Sequence, residues 1–138
     1  MRTTMLLCDY AEAINGKLYV MGGGWSVCTS GPRNLFAAIK ILVPWDSTNE
    51  KHKFVLMLQD EDGNTIQLGE PAREVRHEGV FEVGRPPNIK KGSDLDFVIA
   101  LGFIGLPLEP DKYFRLQLEI DDEPSGDVSF STTLQTQA

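Results

Sequence analysis

At least five stretches of this chain alternate apolar and polar residues with a period of two, and none of comparable length keeps a helical period. The clearest covers residues 113–121. Phe114, Leu116, Leu118 and Ile120 fall on one side, and Arg115, Gln117, Glu119 and Asp121 on the other. Successive side chains of an extended strand face opposite ways, so this pattern predicts a strand with one dry and one solvated face. A sheet built from such strands must bury its dry face against a second layer.

The same reading along the chain predicts strands over residues 3–10, 17–21, 35–43, 52–60, 65–68, 80–83, 95–103, 113–120 and 128–134, about eight or nine short strands in all. Asn15-Gly16 marks a tight turn, because both residues tolerate positive φ. Gly22-Gly23-Gly24 interrupts a strand pattern, which predicts a bulge, a sharp bend or the close approach of another backbone. Residues 35–43 carry one charge, Lys40, and suit a strand covered on both faces; Pro44 stops it. Residues 45–49 read as a polar turn, 60–64 as a hairpin connection and 121–127 as a turn region. The expected fold is all-β: a two-layer antiparallel β-sandwich, Ig-like or jelly-roll-like, formed by one domain over residues 1–134, with a polar C-terminal tail at 135–138.

Charge bounds the partners. Twenty acids against 13 bases give a net charge of −7, which repels phosphate backbones and anionic lipid surfaces. Nucleic acid and membranes are therefore not expected partners, although Arg73, Arg76, Arg85, Lys90 and Lys91 fall close together. The first nine residues hold one base and an apolar run far short of the roughly 7–15 residues of a secretory leader, and no run approaches the roughly 20 of a membrane span. The cytoplasm is the expected location. Cys8 and Cys28 lack ligand spacing and read as buried reduced thiols.

Little in the sequence carries chemistry. His52 and His77 stand 25 residues apart without ligand-spaced partners and read as surface histidines. The acidic segments at 60–64 and 121–127 read as solvated turns. No serine sits in a Gly-x-Ser-x-Gly elbow, and the glycine triplet lacks the third glycine of a dinucleotide fingerprint. The expectation is a protein that is not an enzyme and has no cofactor and no metal. The candidate binding residues are Trp25 beside the glycine bend, Trp45 after Pro44, and Arg85 before Pro86-Pro87. Against that stand plainer roles: the tryptophans as plugs at the ends of the fold, and Arg85 as the ion-pair partner of Glu82.

Several phrases occur together: Asp9-Tyr10-Ala11, Gly16-Lys17-Leu18-Tyr19, Gly22-Gly23-Gly24-Trp25, Val43-Pro44-Trp45-Asp46 and Phe81-Glu82-Val83-Gly84-Arg85-Pro86-Pro87. In this order they resemble a family of small bacterial and bacteriophage proteins known as a domain of unknown function. The resemblance runs from the first strand to the Tyr113 strand. It implies a compact cytoplasmic or phage-encoded domain and no particular activity. The function expected is a non-enzymatic protein-interaction or self-assembling module, because apolar runs such as 35–43 and 97–104 exceed what one core needs. Its partner is another protein or a second copy in a homodimer. The alternative is a small-ligand-binding, sequestering protein, with Trp25 or Trp45 lining a pocket and Arg85 at its mouth for an anionic ligand.

Overall fold

The structure, a computed structural model, describes residues 1–134; the expected tail at 135–138 lies outside the described residues. The described chain is all-β, with eleven strands in three sheets and one 3-10 turn, Trp45–Ser47. The first sheet contains β1 (Arg2–Ile14), β2 (Lys17–Gly23), β4 (Gly31–Val43) and β9 (Leu95–Leu108), in the order β2-β1-β4-β9. The second contains β3 (Val27–Thr29), β5 (Lys51–Gln59), β8 (Arg76–Glu82), β10 (Tyr113–Ile120) and β11 (Glu123–Thr133), in the order β3-β11-β10-β5-β8. A small ribbon pairs β6 (Gln67–Leu68) with β7 (Arg73–Glu74). Every pairing is antiparallel except that of β3 with β11.

Alternation builds the core. Leu35, Ala37, Ile39, Ile41 and Val43 of β4 are buried in one cluster with Leu56 and Leu58 of β5 and Leu116, Leu118 and Ile120 of β10. The two larger sheets are tied at their flanks. Phe81 of β8 stacks on Phe97 of β9, with centroids 4.6 Å apart and rings 9° from parallel. Thr3 Oγ1 of β1 donates to the Ser125 carbonyl of β11 at 2.5 Å.

The first sheet is strongly curled. Three strand spacings would hold β2 about 14 Å from β9 in a flat sheet, yet Cα atoms of the two come within 8 Å. The cause lies in how β1 is shared. Its residues 2–8 pair with β4, and its residues 8–14 pair with β2, leaving a hairpin arm. The arm turns at Asn15-Gly16 (φ 52° and 74°), the conformation that Asn-Gly supplies in a two-residue hairpin. It bends at the glycines. Gly22 stands at φ 61°, where any Cβ would run into the Asp9 carboxylate, and a Cβ on Gly23 would lie 2.8 Å from Val20 Cγ1. The expected bend is therefore present and needs those residues.

The bent arm covers the far face of β4 and β9. Cys8, Ala11 and Ala38 form a second buried cluster there, flanked by Leu18, Phe36 and Ala100. Small side chains on a curled face let the arm lie close. Both thiols are free and buried, as expected, but Cys8 belongs to this outer cluster and Cys28 to the main core. Burial pushes both thiols up, with Asp9 adding to the effect at Cys8 and Arg33 opposing it at Cys28.

Several boundaries differ from the sequence reading. β1 runs to Ile14, because pairing with β2 carries it past Tyr10. β4 begins at Gly31, against Leu108, and not at Leu35. β8 begins at Arg76, drawn into register by β5. The turn after β10 is only Asp121-Asp122, both at positive φ, and β11 starts at Glu123.

Leu116 is fully buried opposite Leu58 on one neighbour and Val128 on the other. Leu116→Ala should lower the unfolding free energy by about 2–5 kcal/mol, measured by urea denaturation. A loss below about 1 kcal/mol would mean the sheets do not close on that position.

Candidate functional site

The candidate residues from the sequence fall at different places. Trp25 and Trp45 flank opposite ends of β4, whose 13 residues span about 40 Å. Trp25 is half-buried and meets Phe130 edge-on at 6.0 Å; its Nε1 is buried without a hydrogen-bond partner. Trp45 and Arg85 are brought together. The Arg85 guanidinium lies 4.0 Å from the centroid of the Trp45 ring. Its Nε donates to Thr48 Oγ1 at 2.6 Å and its Nη2 to the Trp45 carbonyl at 2.8 Å. Thr48 Oγ1 itself donates to the same carbonyl at 2.6 Å. Arg85 thus pairs with the turn after β4 and not with Glu82. The contact staples the segment beyond β8 to the 3-10 turn, so two of its nitrogen donors are already spoken for.

The same end of the molecule holds a buried histidine, which corrects the expectation of a surface side chain. His52 is 5% exposed because it sits on the inward face of β5, in register with Phe81 and two residues before Phe54. Its Nε2 lies 2.7 Å from the Ser47 carbonyl and its Nδ1 lies 2.7 Å from Asp121 Oδ2. A carbonyl and a carboxylate can only accept, so the geometry suits an imidazolium, with a proton on both ring nitrogens, better than either neutral tautomer. Burial opposes that charge. The Ser47 carbonyl, Asp121 and then Glu50, whose Oε1 is 3.9 Å from Nε2, outweigh it and hold the His52 pKa above its ordinary 6.5. Asp121 is held below 3.8 in turn: His52 donates to it, while its own burial opposes and the Lys53 N–H assists at 3.0 Å. The network joins the turn after β4, the start of β5 and the turn after β10. His77 is half-buried; its ring packs on Phe103, and Nε2 lies 2.6 Å from the Gly102 carbonyl. Among the described residues no three His, Cys, Asp or Glu side chains converge as a metal centre requires.

What stays open is the arm. The register places Tyr10, Glu12 and Ile14 beside Met21, Tyr19 and Lys17 on one face, and alternation places Ala11, Ala13, Leu18 and Val20 on the other. The second face contributes Ala11 and Leu18 to the covered cluster. The first face is the more open one, with Met21 68% and Tyr19 53% exposed, except that the Tyr10 ring turns back onto Phe36, edge-on at 4.9 Å. Among the described residues, five of the 13 exposed large apolar side chains lie on this one hairpin. The sequence carried the signal, since apolar residues stand at both parities on each side of Asn15-Gly16. One parity serves the core, which leaves the other without a partner.

A model of a family of unknown function, DUF6941, matches residues 3–133. No curated protein and no solved structure matches the chain.

The His52 network makes stability depend on pH from both sides. A raised histidine pKa gives a contribution that is complete below the unfolded value of about 6.5 and is lost as pH rises through the folded value. A lowered aspartate pKa gives one that is complete above about 3.9 and is lost as pH falls through the folded value. The urea midpoint should therefore fall between about pH 6.5 and 8.5, below the range where the thiols titrate, and His52→Gln should flatten that slope. A wild-type midpoint constant over this range would show that His52 is neutral when folded.

Proposed function

The chain belongs to DUF6941, a family of unknown function, and we propose that it is a non-enzymatic, self-associating β-sandwich module. The two larger sheets are its layers, and the outward face of the β1–β2 arm is its contact surface. The sandwich reading is supported by the common core of the two sheets and by the Phe81–Phe97 and Thr3–Ser125 ties at their flanks.

One observation carries the functional reading: Ile14, Tyr19 and Met21 share one uncovered face of a hairpin whose other face gives Ala11 and Leu18 to a packed cluster. Clustered exposed apolar side chains mark contact surfaces far better than scattered ones do, and tyrosine and methionine are enriched at such contacts. The occupant is a second copy of the chain. The only charges on the face are Glu12, opposite Tyr19, and Lys17, opposite Ile14, of opposite sign and on neighbouring rungs of the hairpin. A two-fold axis through the face sets each against the other's counterpart, so the contact is self-complementary despite a net charge of −7. β2 is also the outermost strand of its sheet, with one charged residue in seven, and its free edge can extend the contact by strand pairing. The setting proposed is the cytoplasm, where Cys8 and Cys28 remain reduced. The competing reading, an anionic ligand held by Arg85, has less support because Arg85 is engaged with Trp45 and Thr48.

Light scattering coupled to size exclusion should find dimers at tens of micromolar. The Tyr19→Glu/Met21→Lys double variant, altered only at exposed positions, should weaken the dimer at least about tenfold, or about 1.4 kcal/mol, with an unchanged melting temperature. Ile104→Lys, on the exposed part of β9, serves as the control that leaves association intact. A wild-type protein that stays monomeric at about 100 μM, where contacts of even about 5 kcal/mol would show, ends the proposal.

A further inference from the structure

The end of the molecule away from His52 contains a cleft of about 460 Å³, enclosed by the hairpin after β5, the last residues of β9 and the first of β10. That size suits a small organic molecule. Its floor is apolar, made by Leu106, Leu108 and Phe114 with Ile66 and Leu68 at the side. Its mouth is acidic. Asp60, Glu61, Asp62 and Glu109 stand around it against one cation, Lys112.

These carboxylates are not equivalent. Asp60 is used by the loop itself, since its Oδ1 accepts the N–H groups of Asp62 and Asn64 at 2.9 and 3.0 Å. Glu61 Oε1 accepts weakly from the Tyr113 N–H at 3.4 Å. The side chains of Asp62 and Glu109 make no hydrogen bond or ion pair among the described residues. Between them Tyr113 lines the cleft while remaining 66% exposed, so its ring is available to a ligand. An aromatic face beside unpaired carboxylates attracts a cation by the ring quadrupole and by charge together.

We propose that this cleft binds a small amphiphilic organic cation, a primary ammonium on an apolar stem of about six carbons, within the size of such pockets. The stem lies on the Leu106–Leu108–Phe114 floor. The ammonium sits at the mouth, donating to Asp62 and Glu109 and meeting the ring of Tyr113. Charge complementarity fixes the sign: four carboxylates against one ammonium group repel an anion of the same shape. The inference is independent of the arm, which lies on another part of the surface.

The test is a titration of the full chain with n-hexylammonium, followed by amide proton–nitrogen correlation spectra at low salt. Saturable shifts should be confined to residues 60–68 and 106–114. n-Hexanol, with the same stem and no charge, should bind at least about tenfold more weakly, and hexanoate not at all. The Asp62→Asn/Glu109→Gln double variant should lose about tenfold in affinity for n-hexylammonium, keep its affinity for n-hexanol and melt as the wild type does. Three outcomes overturn the proposal: no saturable shift at millimolar n-hexylammonium, equal binding of hexanol or hexanoate, or an affinity that the double variant does not change.

Discussion

The constraint on which the rest depends is that β4 is covered on both faces. Its inward side chains, Leu35, Ala37, Ile39, Ile41 and Val43, are buried against the five-stranded sheet. Its other face carries Phe36 and Ala38, over which the β1–β2 arm lies. A strand buried twice can hold few charges, and β4 has two: Arg33 near its start, whose Nη1 donates to Thr29 Oγ1 at 2.7 Å, and Lys40, which stands in register with Thr4 and Val98 and reaches Asp96 at 3.6 Å. Covering the second face requires small partners. Cys8, Ala11, Ala38 and Ala100 supply them, and bulkier side chains there would lift the arm off the sheet. The exposure of Tyr19 and Met21 follows from the same geometry: an arm that must turn one face down presents the other to solvent.

Much of this was legible in the chain, and the reason is local. The period of two over 113–121 survives as β10, because Leu116 and Leu118 stand opposite Leu58 and Leu56 of β5, and Phe114 and Leu116 opposite Phe130 and Val128 of β11. The apolar run at 35–43, broken only by Lys40, did signal a strand covered twice. The glycine triplet signalled a bend, since only residues without a Cβ fit beside Asp9 and Val20. The arm itself was harder to see. Ala11 and Ala13 blurred the alternation of Tyr10, Glu12 and Ile14, so the segment before Asn15-Gly16 resembled a loop.

The histidine network was not legible, for a different reason. Its partner Asp121 is 69 residues away and lies in what reads as an ordinary acidic turn. Only the β5–β10 pairing, with Phe54 opposite Ile120, brings the two together. The alternation His52-x-Phe54-x-Leu56-x-Leu58 did place the ring on the dry side, a hint that composition-based reading of histidine overlooks. Arg85 was misread in the same way: Glu82 is near in sequence, but an exposed ion pair is worth little. The Trp45 ring and two oxygen acceptors give the guanidinium a better site.

The two ends of the molecule consequently differ in electrostatic character. At the Trp45 end, His52, Arg85, Asp121 and the Ser47 and Trp45 carbonyls satisfy one another. Arg76, on the neighbouring β8, is likewise taken up by Glu74 and Glu78. The cations that cluster in sequence from Arg73 to Lys91 therefore do not form one free basic surface. At the Tyr113 end the balance reverses, with Asp62 and Glu109 unpaired beside an open apolar cleft. An exposed carboxylate is cheap to keep in water, so it needs no partner to persist. Its effect is on what approaches: each unpaired charge at a low-dielectric rim favours cations and turns anions away. Internal pairing has thus consumed the positive charge where it could have met an anion. Part of the chain's net negative charge, four carboxylates against Lys112, stands at the mouth of the cleft.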